Sequence, residues 1–463
     1  MNRYKKLFSN SVVFAIGNLG SKIITFFMVP LYTRYLTTSQ YGQSDLISTL
    51  VSLLTPILTL SVIDAVFRFS MDNTSNNSKV LTNGFVVSTI SFIIFLILSP
   101  IIVKLQYGFF ICFLTYVSAL ESMLQQFARG IGRSKLYAFT GIFMTILTVV
   151  SNIIFLIFMG WQLEGYLLSL LIAQIGGILL LFCMLRCWKF IGISNFDFGL
   201  IKNMLSYSVP MIPNTISWWL SNSANKIFIS MILSTAANGL YAVANKIPSL
   251  ISVFVNIFTQ AWQISAIEEY KSDDSGKFFS GIMNLTVEVL FIGVGMLTLV
   301  AKPIILILST ADYISAWKIV PFLALAVLYS SLASFLGTIY TATMQTKYLF
   351  ITTLCGAVTN VVLNIIFIPI LGIVGSGISA CISFMVVSFM RINDSKKFIS
   401  LKINKMRWGI LQILVLIEIG ILYSVSGFLG YTLAAVIVLI LTIMNVHVLT
   451  PLKSVIEKRF ERK

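Results

Sequence analysis

Three lysines lie inside apolar segments, next to short polar side chains. Lys22 follows Asn18 by one helical turn and precedes Thr25 by nearly one turn, which places the three residues on one stripe of a helix. The other two lysines each follow an asparagine, in the pairs Asn225–Lys226 and Asn245–Lys246. A lysine of this kind can attract an anionic group. A charge at the centre of a bilayer costs about 2.5 to 3.5 kcal/mol on insertion scales, so it usually faces a cavity.

A polar face surrounds the third lysine. Its members recur at steps of three or four residues: Tyr241, Asn245, Ser249, Ser252, Asn256 and Gln260. Such a face is too polar for lipid and predicts either a water-filled cavity or a helix contact. Lys226 and Lys246 lie about six residues from predicted outer ends and could instead snorkel to the interface, whereas Lys22 is about twelve residues from either end of its segment.

Acidic side chains inside the apolar segments are candidates for ion coupling. We select Glu121, Asp64 and Glu288 as candidates for a proton or sodium site. Glu418 is also deep in its segment, while Asp45 and Asp64 lie near the two ends of one long segment and fit an interfacial position. Each acid could alternatively form a salt bridge with a lysine.

The chain lacks the residue sets of common catalytic and metal centres. It has one histidine, His447, and its five cysteines all lie in apolar segments without further zinc ligands nearby. No phosphate-binding loop motif occurs, which excludes an ATP-driven pump on this chain. We therefore predict no catalytic residues, no metal site and no cofactor.

Composition indicates an all-α integral membrane protein. Hydrophobic residues make up 57% of the 463 residues and charged residues only 10%, and a bilayer core needs about 20 apolar residues per spanning helix. Fourteen spans are predicted, at about 9–33, 41–69, 80–103, 108–128, 136–160, 162–185, 204–232, 240–266, 279–301, 317–343, 348–371, 373–390, 408–426 and 428–450. With the amino terminus in the cytoplasm, most basic residues fall in inside loops, as the positive-inside rule expects. Both termini are then cytoplasmic, and the net charge of +16 requires no nucleic-acid partner.

Two sequence echoes indicate an internal repeat. Val149 to Gly165 (VVSNIIFLIFMGWQLEG) matches Val361 to Gly377 (VVLNIIFIPILGIVGSG) at eight of seventeen positions. LTTSQYG at 36–42 similarly matches LSTAANG at 233–239. Duplicated apolar units are typical of secondary transporters, in which two halves move about a central site.

Several segments carry a specific resemblance. The run from Ser208 to Ile251, the opening NSVVFAIGNLGSKIITFFMVPLYTRYLTTSQYG, the segment RGIGRSKLY and the NIIF echo resemble Wzx-type flippases of bacterial polysaccharide repeat units. These belong to the multidrug/oligosaccharidyl-lipid/polysaccharide exporter superfamily, which also contains the MATE drug exporters. In relatives, an acid followed by a base commonly occupies the Asn225–Lys226 position, and this chain has an asparagine in place of the acid.

The resemblance implies two six-helix lobes and two appended helices. We expect the lobes at 1–190 and 200–391, the added helices at 405–450 and a basic cytoplasmic tail at 451–463. The implied cargo is an undecaprenyl-diphosphate-linked oligosaccharide for O-antigen, capsule or another surface polymer, and the implied location is the bacterial inner membrane. Its diphosphate would meet Lys22, Lys226 and Lys246, and its sugars would meet Asn18, Asn225, Tyr241, Asn245, Ser249 and Asn256. A polysaccharide polymerase and a chain-length regulator are possible partners.

Two other functions stay open from the sequence. A cation-coupled exporter of drug-like compounds from the same superfamily would depend more on a deep acid such as Glu121 than on the lysines. A membrane glycan polymerase or an assembly partner would act without leaflet exchange.

Overall fold

The computed structural model describes residues 20–71, 76–98, 106–270, 274–343 and 345–446, and every regular element within these ranges is a helix. The predicted all-helical class is confirmed. Asn18 and the predicted tail 451–463 lie outside the described residues.

The described helices fall into two compact units. Unit 1 comprises Met1–Ile227 with Ser234–Gly239, and unit 2 comprises Phe228–Leu233 with Leu240–Lys463. The first ten helices are α1 (20–27), α2 (Val29–Tyr35), α3 (Thr38–Leu58), α4 (Val62–Ser70), α5 (Asn77–Leu98), α6 (Gly108–Gly130), α7 (Ser134–Asn152), α8 (Gln162–Leu185), α9 (Phe198–Ser208) and α10 (Ile212–Ile232). The remaining seven are α11 (Thr235–Glu269), α12 (Ser275–Leu308), α13 (Val320–Ala342), α14 (Thr346–Leu371), α15 (Ile373–Ser395), α16 (Lys405–Ser424) and α17 (Phe428–Met444).

Ten of the helical stretches in the described ranges are long and apolar enough to cross a membrane, and the bent pair α3 and α4 raises this number to eleven. The shorter apolar helix α17 corresponds to the predicted last span. The predicted span 204–232 instead consists of α9 and α10 with the short 3-10 turn Val209–Met211 between them. Because Pro210 sets its own backbone angle and donates no backbone hydrogen bond, it favours a break there. The count of fourteen is therefore not confirmed.

The core of unit 1 follows the helical periodicity of its apolar residues. Leu163, Leu167 and Leu171 lie one turn apart on α8 and pack on α3 and α6. A second cluster joins α4, α5 and α6 to the end of α8. Lipid gives helices no hydrophobic reason to associate, so close packing and interhelical hydrogen bonds must hold this unit together.

The core of unit 2 includes the two carboxyl-terminal helices. Trp262 of α11 stacks on Phe335 of α13 at 4.4 Å between ring centroids, and its indole nitrogen donates to the Thr338 hydroxyl at 3.0 Å. The same apolar cluster extends through α12 and α15 to Leu411 on α16 and Leu441 on α17. The helices α16 and α17 thus share a core with α12.

The two copies of the longer echo share a buried asparagine and a turn glycine, although Ile153–Phe158 form a π-helix in the first copy and α14 continues as an α-helix through the equivalent residues of the second. Asn152 and Asn364 are both fully buried. Gly160 and Gly372 both have positive φ, at 67° and 60°, which a side chain would disfavour. Each glycine lies in the tight turn between two consecutive helices. The repeat therefore conserves a helix, a buried amide and a turn that requires glycine.

Candidate functional site

The shorter echo is a helix-start motif that occurs twice. In LTTSQYG the Thr37 hydroxyl accepts from the backbone of Gln40, and the Gln40 side chain accepts from the Thr37 backbone, so the two form a capping box at the start of α3. In LSTAANG the Ser234 hydroxyl accepts from the Ala237 backbone at the start of α11. Each cap is followed five residues later by a glycine, Gly42 or Gly239.

These two helix starts contact each other reciprocally, within unit 1. A Cβ on Gly42 would collide with the Thr235 carbonyl oxygen and lie 2.7 Å from the Gly239 nitrogen. A Cβ on Gly239 would collide with the Thr38 carbonyl oxygen and lie 3.2 Å from the Gly42 nitrogen. Glycine is needed at both positions because the colliding atoms belong to the backbone. We call these two segments, 36–42 and 233–239, the echo contact.

Hydrogen bonds join the two sides of the echo contact. The hydroxyls of Ser39 and Thr235 lie 2.7 Å apart, and the Asn238 amide donates to the Gly42 carbonyl at 2.9 Å. Asn238 is fully buried. The echo contact thus combines close approach of two backbones with hydrogen bonds between them, as helix interfaces rich in small residues do in membranes.

An ion pair lies about one turn further along α3. Lys226 of α10 donates to Asp45 at 2.9 Å, and the side chains are only 19% and 18% exposed. The Asn238 amide approaches the other Asp45 oxygen at 3.4 Å. Lys226 therefore has an acidic partner although its neighbour in the sequence is Asn225, because Asp45 comes from a different helix, α3. From its sequence position alone, Asp45 fits an interface, and its separation of 181 residues from Lys226 leaves no local signal for the pair.

The other predicted lysines have different surroundings. Lys22 is exposed on α1, where the Thr25 hydroxyl donates to its carbonyl oxygen. Lys246 is half-buried on α11 and belongs to unit 2, whereas Lys22 and Lys226 belong to unit 1. Their predicted role as a common binding site for a diphosphate stays a prediction.

The polar face of α11 changes in exposure along its length. Tyr241 is buried, Asn245 and Ser249 are half-buried, and Asn256 is exposed. Ser249 donates to the Lys246 carbonyl at 2.7 Å, while Asn225 on α10 is buried. Among the described members of the predicted sugar-binding set, Asn245, Ser249 and Asn256 thus have accessible side chains.

The three predicted ion-coupling acids lie in three different environments. Asp64 is half-buried in the first turn of α4, just after a bend of 64° at which Leu60 and Ser61 have positive φ. An acid is stabilised there by the positive end of the helix dipole. Glu121 is buried on α6, and one of its oxygens has no hydrogen-bond partner. Glu288 of α12 forms an ion pair with Arg407 of α16 at 2.9 Å.

Arg391 is a buried cation whose role the sequence does not reveal. It lies near the end of α15, and its guanidinium donates to the Ala333 carbonyl at 2.6 Å and to the hydroxyls of Thr352 and Thr353 at 3.0 Å each. These acceptors belong to α13 and α14, so Arg391 joins three helices of unit 2. In the sequence, Arg391 lies close to other charged residues at the end of an apolar segment, and this position suggests a loop.

The amino-terminal half matches a known family. The family model described as "Polysaccharide biosynthesis protein" covers residues 7–263, more than half of the chain. The chain belongs to this family. Among similar proteins, the Lsg locus putative protein 1 of Haemophilus influenzae is 24% identical over 271 residues, 55% of this chain and 65% of that protein. The match therefore spans just under two thirds of the Haemophilus protein.

Other comparisons extend the similarity of this polysaccharide biosynthesis family member to the whole chain. A membrane protein of Methanocaldococcus jannaschii is 23% identical over 401 residues, 81% of this chain and 95% of the relative. The lipid II flippase MurJ in an inward closed conformation has a TM-score of 0.70 at 14% identity, over 96% of this chain and all of MurJ. An inward-facing multidrug resistance MATE transporter of the MOP superfamily has a TM-score of 0.64 at 12% identity, over 86% of this chain and 95% of that one. The predicted superfamily fold is confirmed.

Proposed function

We propose that this protein flips undecaprenyl-diphosphate-linked oligosaccharide repeat units from the cytoplasmic to the outer leaflet of the bacterial inner membrane, by alternating access. The observation that carries the proposal is the echo contact with its adjoining ion pair. Two copies of one helix-start motif contact each other reciprocally, and their sequences come from the two halves of the repeat. A transporter built from a repeat needs a contact of this kind that closes in one state and opens in the other.

The family and the fold support a lipid-linked cargo. The matched family is one of polysaccharide biosynthesis, and among the similar structures is one whose name states that it flips lipid II. An oligosaccharide on a polyprenyl diphosphate combines charge, hydroxyl groups and a lipid chain. Lysines beside an apolar interior suit its diphosphate, and the accessible amides of α11 suit its sugar hydroxyls.

Opening requires specific bonds to break. The echo contact lies at the end of the helices that the distribution of basic loops assigns to the outside. Outward opening would separate Gly42 from Gly239, break the Ser39–Thr235 hydrogen bond and part Asp45 from Lys226. Lys226 would then become available to the departing diphosphate, while the exposed Lys22 attracts it at an earlier stage. Both termini stay in the cytoplasm, and a polymerase and a chain-length regulator would receive the cargo outside.

A disulfide across the echo contact tests the proposal. Ser39→Cys with Thr235→Cys, in a background without the five native cysteines, replaces two hydroxyl oxygens 2.7 Å apart. The two side chains therefore point toward each other, as the side chains of a disulfide must. We expect the oxidised protein to accumulate full-length lipid-linked units on the cytoplasmic side, measured with an impermeant probe of the sugar, and reduction to restore exposure outside.

Matched controls distinguish the effect of the disulfide from damage caused by the substitutions themselves. Each single cysteine variant should flip normally under the same oxidation. Outward exposure that continues in the fully cross-linked protein would refute alternating access at this contact. Normal exposure in cells depleted of the protein would refute the flippase function itself.

Lys22 offers an independent test of the anion site. Lys22→Ala should abolish flipping because the exposed cation is lost, and Lys22→Arg should retain part of the activity because the positive charge remains. Thr25→Ala on the same helix is a control for local helix damage. Full activity of Lys22→Ala would remove Lys22 from the site.

One observation favours a second function, cation-coupled export of drug-like compounds. The buried Glu121 has a carboxyl oxygen without a hydrogen-bond partner, which suits a coupling ion. This function predicts that Glu121→Gln abolishes drug resistance while Lys22→Ala leaves it intact. A polymerase or an assembly partner would instead leave leaflet exchange unchanged on depletion.

A further inference from the structure

Glu418 is an acid without a visible role in the proposed transport site. It lies on α16 with no exposed surface, and neither carboxyl oxygen has a hydrogen-bond partner among the described residues. A Cβ added to Gly295 of α12 would lie 3.2 Å from Glu418 Oε2, 2.9 Å from Leu441 and 3.7 Å from Val438, both of α17. The carboxyl group therefore sits in the apolar contact of three helices.

The charged groups nearest to Glu418 along these helices are engaged elsewhere. On α12, Glu288 pairs with Arg407, and Lys302 lies over the Trp317 ring at 5.9 Å. Arg407 of α16 also donates to the Met444 carbonyl and to the Asn445 side chain. The helix α17 carries no Asp, Glu, Lys, Arg or His between Phe428 and Met444, and its only titratable side chain is Tyr431.

An ionised carboxylate is costly in such a place. Burial of a charge without a partner or hydrogen bonds is strongly unfavourable, so the uncharged acid fits the site far better. Glu288 lies two turns from Gly295 on the same helix and is also buried, but its charge is balanced by Arg407 at 2.9 Å. The contrast between the two acids indicates that Glu418 carries a proton in this packing.

A cavity lined by both polar and apolar side chains comes within one helical turn of Glu418. It has a volume of about 170 Å³ and lies between α12, the 3-10 helix Ala311–Lys318 and the turn joining α16 to α17. Its lining includes Thr298, Lys302, Leu422, Tyr423, Ser424, Ser426 and Tyr431. Leu422 is one turn beyond Glu418, and Thr298 is one turn beyond Gly295.

Thr298 lines the cavity and lies one helical turn from Gly295, the residue beside Glu418. Its side chain is 1% exposed, and its hydroxyl oxygen has no hydrogen-bond partner in the described part of the chain. A buried hydroxyl in this state is rare in folded proteins, because burial removes its hydrogen bonds to water without replacing them. A water molecule or a transient proton carrier beside Thr298 would satisfy it.

We propose that Glu418 is a proton-binding site, reached through the cavity and Thr298, whose occupancy fixes the packing of α16 and α17 against α12. In the protonated state the three helices pack as described. Loss of the proton creates a buried carboxylate, and α16 must then shift to bring it water or a cation. The predicted topology places the cavity on the outer side, so the proton comes from outside.

The available ligands favour a proton over a metal cation. Among the described residues, the unpartnered oxygens on this part of α12 and α16 are the two of Glu418 and the hydroxyl of Thr298. The described residues also hold no group of three or more His, Cys, Asp or Glu side chains that could bind a metal. Hard cations such as Ca²⁺ need about six or more oxygen ligands.

Infrared difference spectroscopy of the full-length protein in liposomes tests the site directly. Subtraction of the Glu418→Gln spectrum from that of the unmodified protein should show the carbonyl stretch of a protonated carboxyl group at neutral pH. The band should give way to carboxylate bands at alkaline pH. Glu288→Gln is the matched control and should remove carboxylate bands only. Glutamine keeps the shape of the uncharged acid, so the variant should fold.

Separate measurements test the route of the proton and the identity of the bound ion. Thr298→Val should leave the band in place but slow its hydrogen–deuterium exchange about tenfold, the effect of losing one hydrogen-bonding group. Carboxylate bands from Glu418 at neutral pH would overturn the proposal, and so would replacement of the carboxyl band by sodium at fixed pH. Unchanged exchange in Thr298→Val would overturn the route. None of these results depends on the cargo.

Discussion

The Asp45–Lys226 ion pair should contribute measurably to the stability of unit 1. Exposed ion pairs contribute about 0 to 1 kcal/mol, and removing one partner of a fully buried pair costs about 3 to 5 kcal/mol. At 18% and 19% exposed, this pair lies between the two limits. We expect Asp45→Ala or Lys226→Ala alone to cost about 2 kcal/mol, because each leaves a largely buried charge unbalanced.

A double-mutant cycle isolates the interaction. The coupling free energy between the two substitutions should be about 1 to 2 kcal/mol, a factor of roughly 5 to 30 in the unfolding equilibrium. The assay is denaturant unfolding in mixed micelles for the four proteins of the cycle. Asp274 and Lys277 form a control pair with the same charges at the same 2.9 Å, but 78% and 80% exposed.

The result that would refute this reasoning is additivity. If the double variant loses the sum of the two single losses to within about 0.5 kcal/mol, the two side chains do not interact energetically. Coupling of equal size in the exposed control pair would show that burial is not the cause.

Three further predictions concern other contacts. Gly239→Ala should destabilise the protein by about 1 to 3 kcal/mol and reduce flipping, measured by thermal unfolding and leaflet assay, whereas Gly281→Ala, whose added methyl meets no atom within 4 Å, should do neither. Arg391→Leu should cost about 3 kcal/mol by leaving buried acceptors without donors, and Arg391→Lys should rescue little in the same denaturation assay. The hydrogen bond from Lys79 lowers the pKa of Asp197 in the folded protein. The ionised Asp197 therefore stabilises the fold at pH values above its pKa in the unfolded chain, and this stabilisation is lost as the pH falls through its lower pKa in the folded protein. On acidification, the melting temperature of Asp197→Asn should therefore fall less than that of the unmodified protein.

The sequence predicts the helices well because apolar length and periodicity are local properties. It also reveals the two echoes, and both copies of the longer one end at a turn glycine with positive φ, Gly160 or Gly372. The number of spans is harder, since the break at Pro210 and the bend after Leu58 depend on how the flanking helices pack. A single run of apolar residues does not show where it will be interrupted.

The site is only partly predictable, because its contacts join distant segments. The sequence singles out Lys226 and its missing neighbouring acid, but only the fold brings Asp45 to it. The shared glycines of the shorter echo were a usable signal, since a glycine repeated after two helix caps suggests close approach. The polar residues of α11 recur at helical spacing, yet Tyr241 is buried and Asn256 is exposed, a difference that periodicity alone does not show.

The Glu288–Arg407 ion pair also imposes an order on biosynthesis. Glu288 enters the membrane with α12, and its partner is synthesised about 120 residues later, which takes roughly 6 to 24 s at ordinary translation rates. During that interval the acid has to remain near water, be protonated or be held by the insertion machinery. Chains that end before α16 would keep this unbalanced charge permanently and become substrates for membrane quality control. A chimera with a relative should therefore exchange α12 and α16 together.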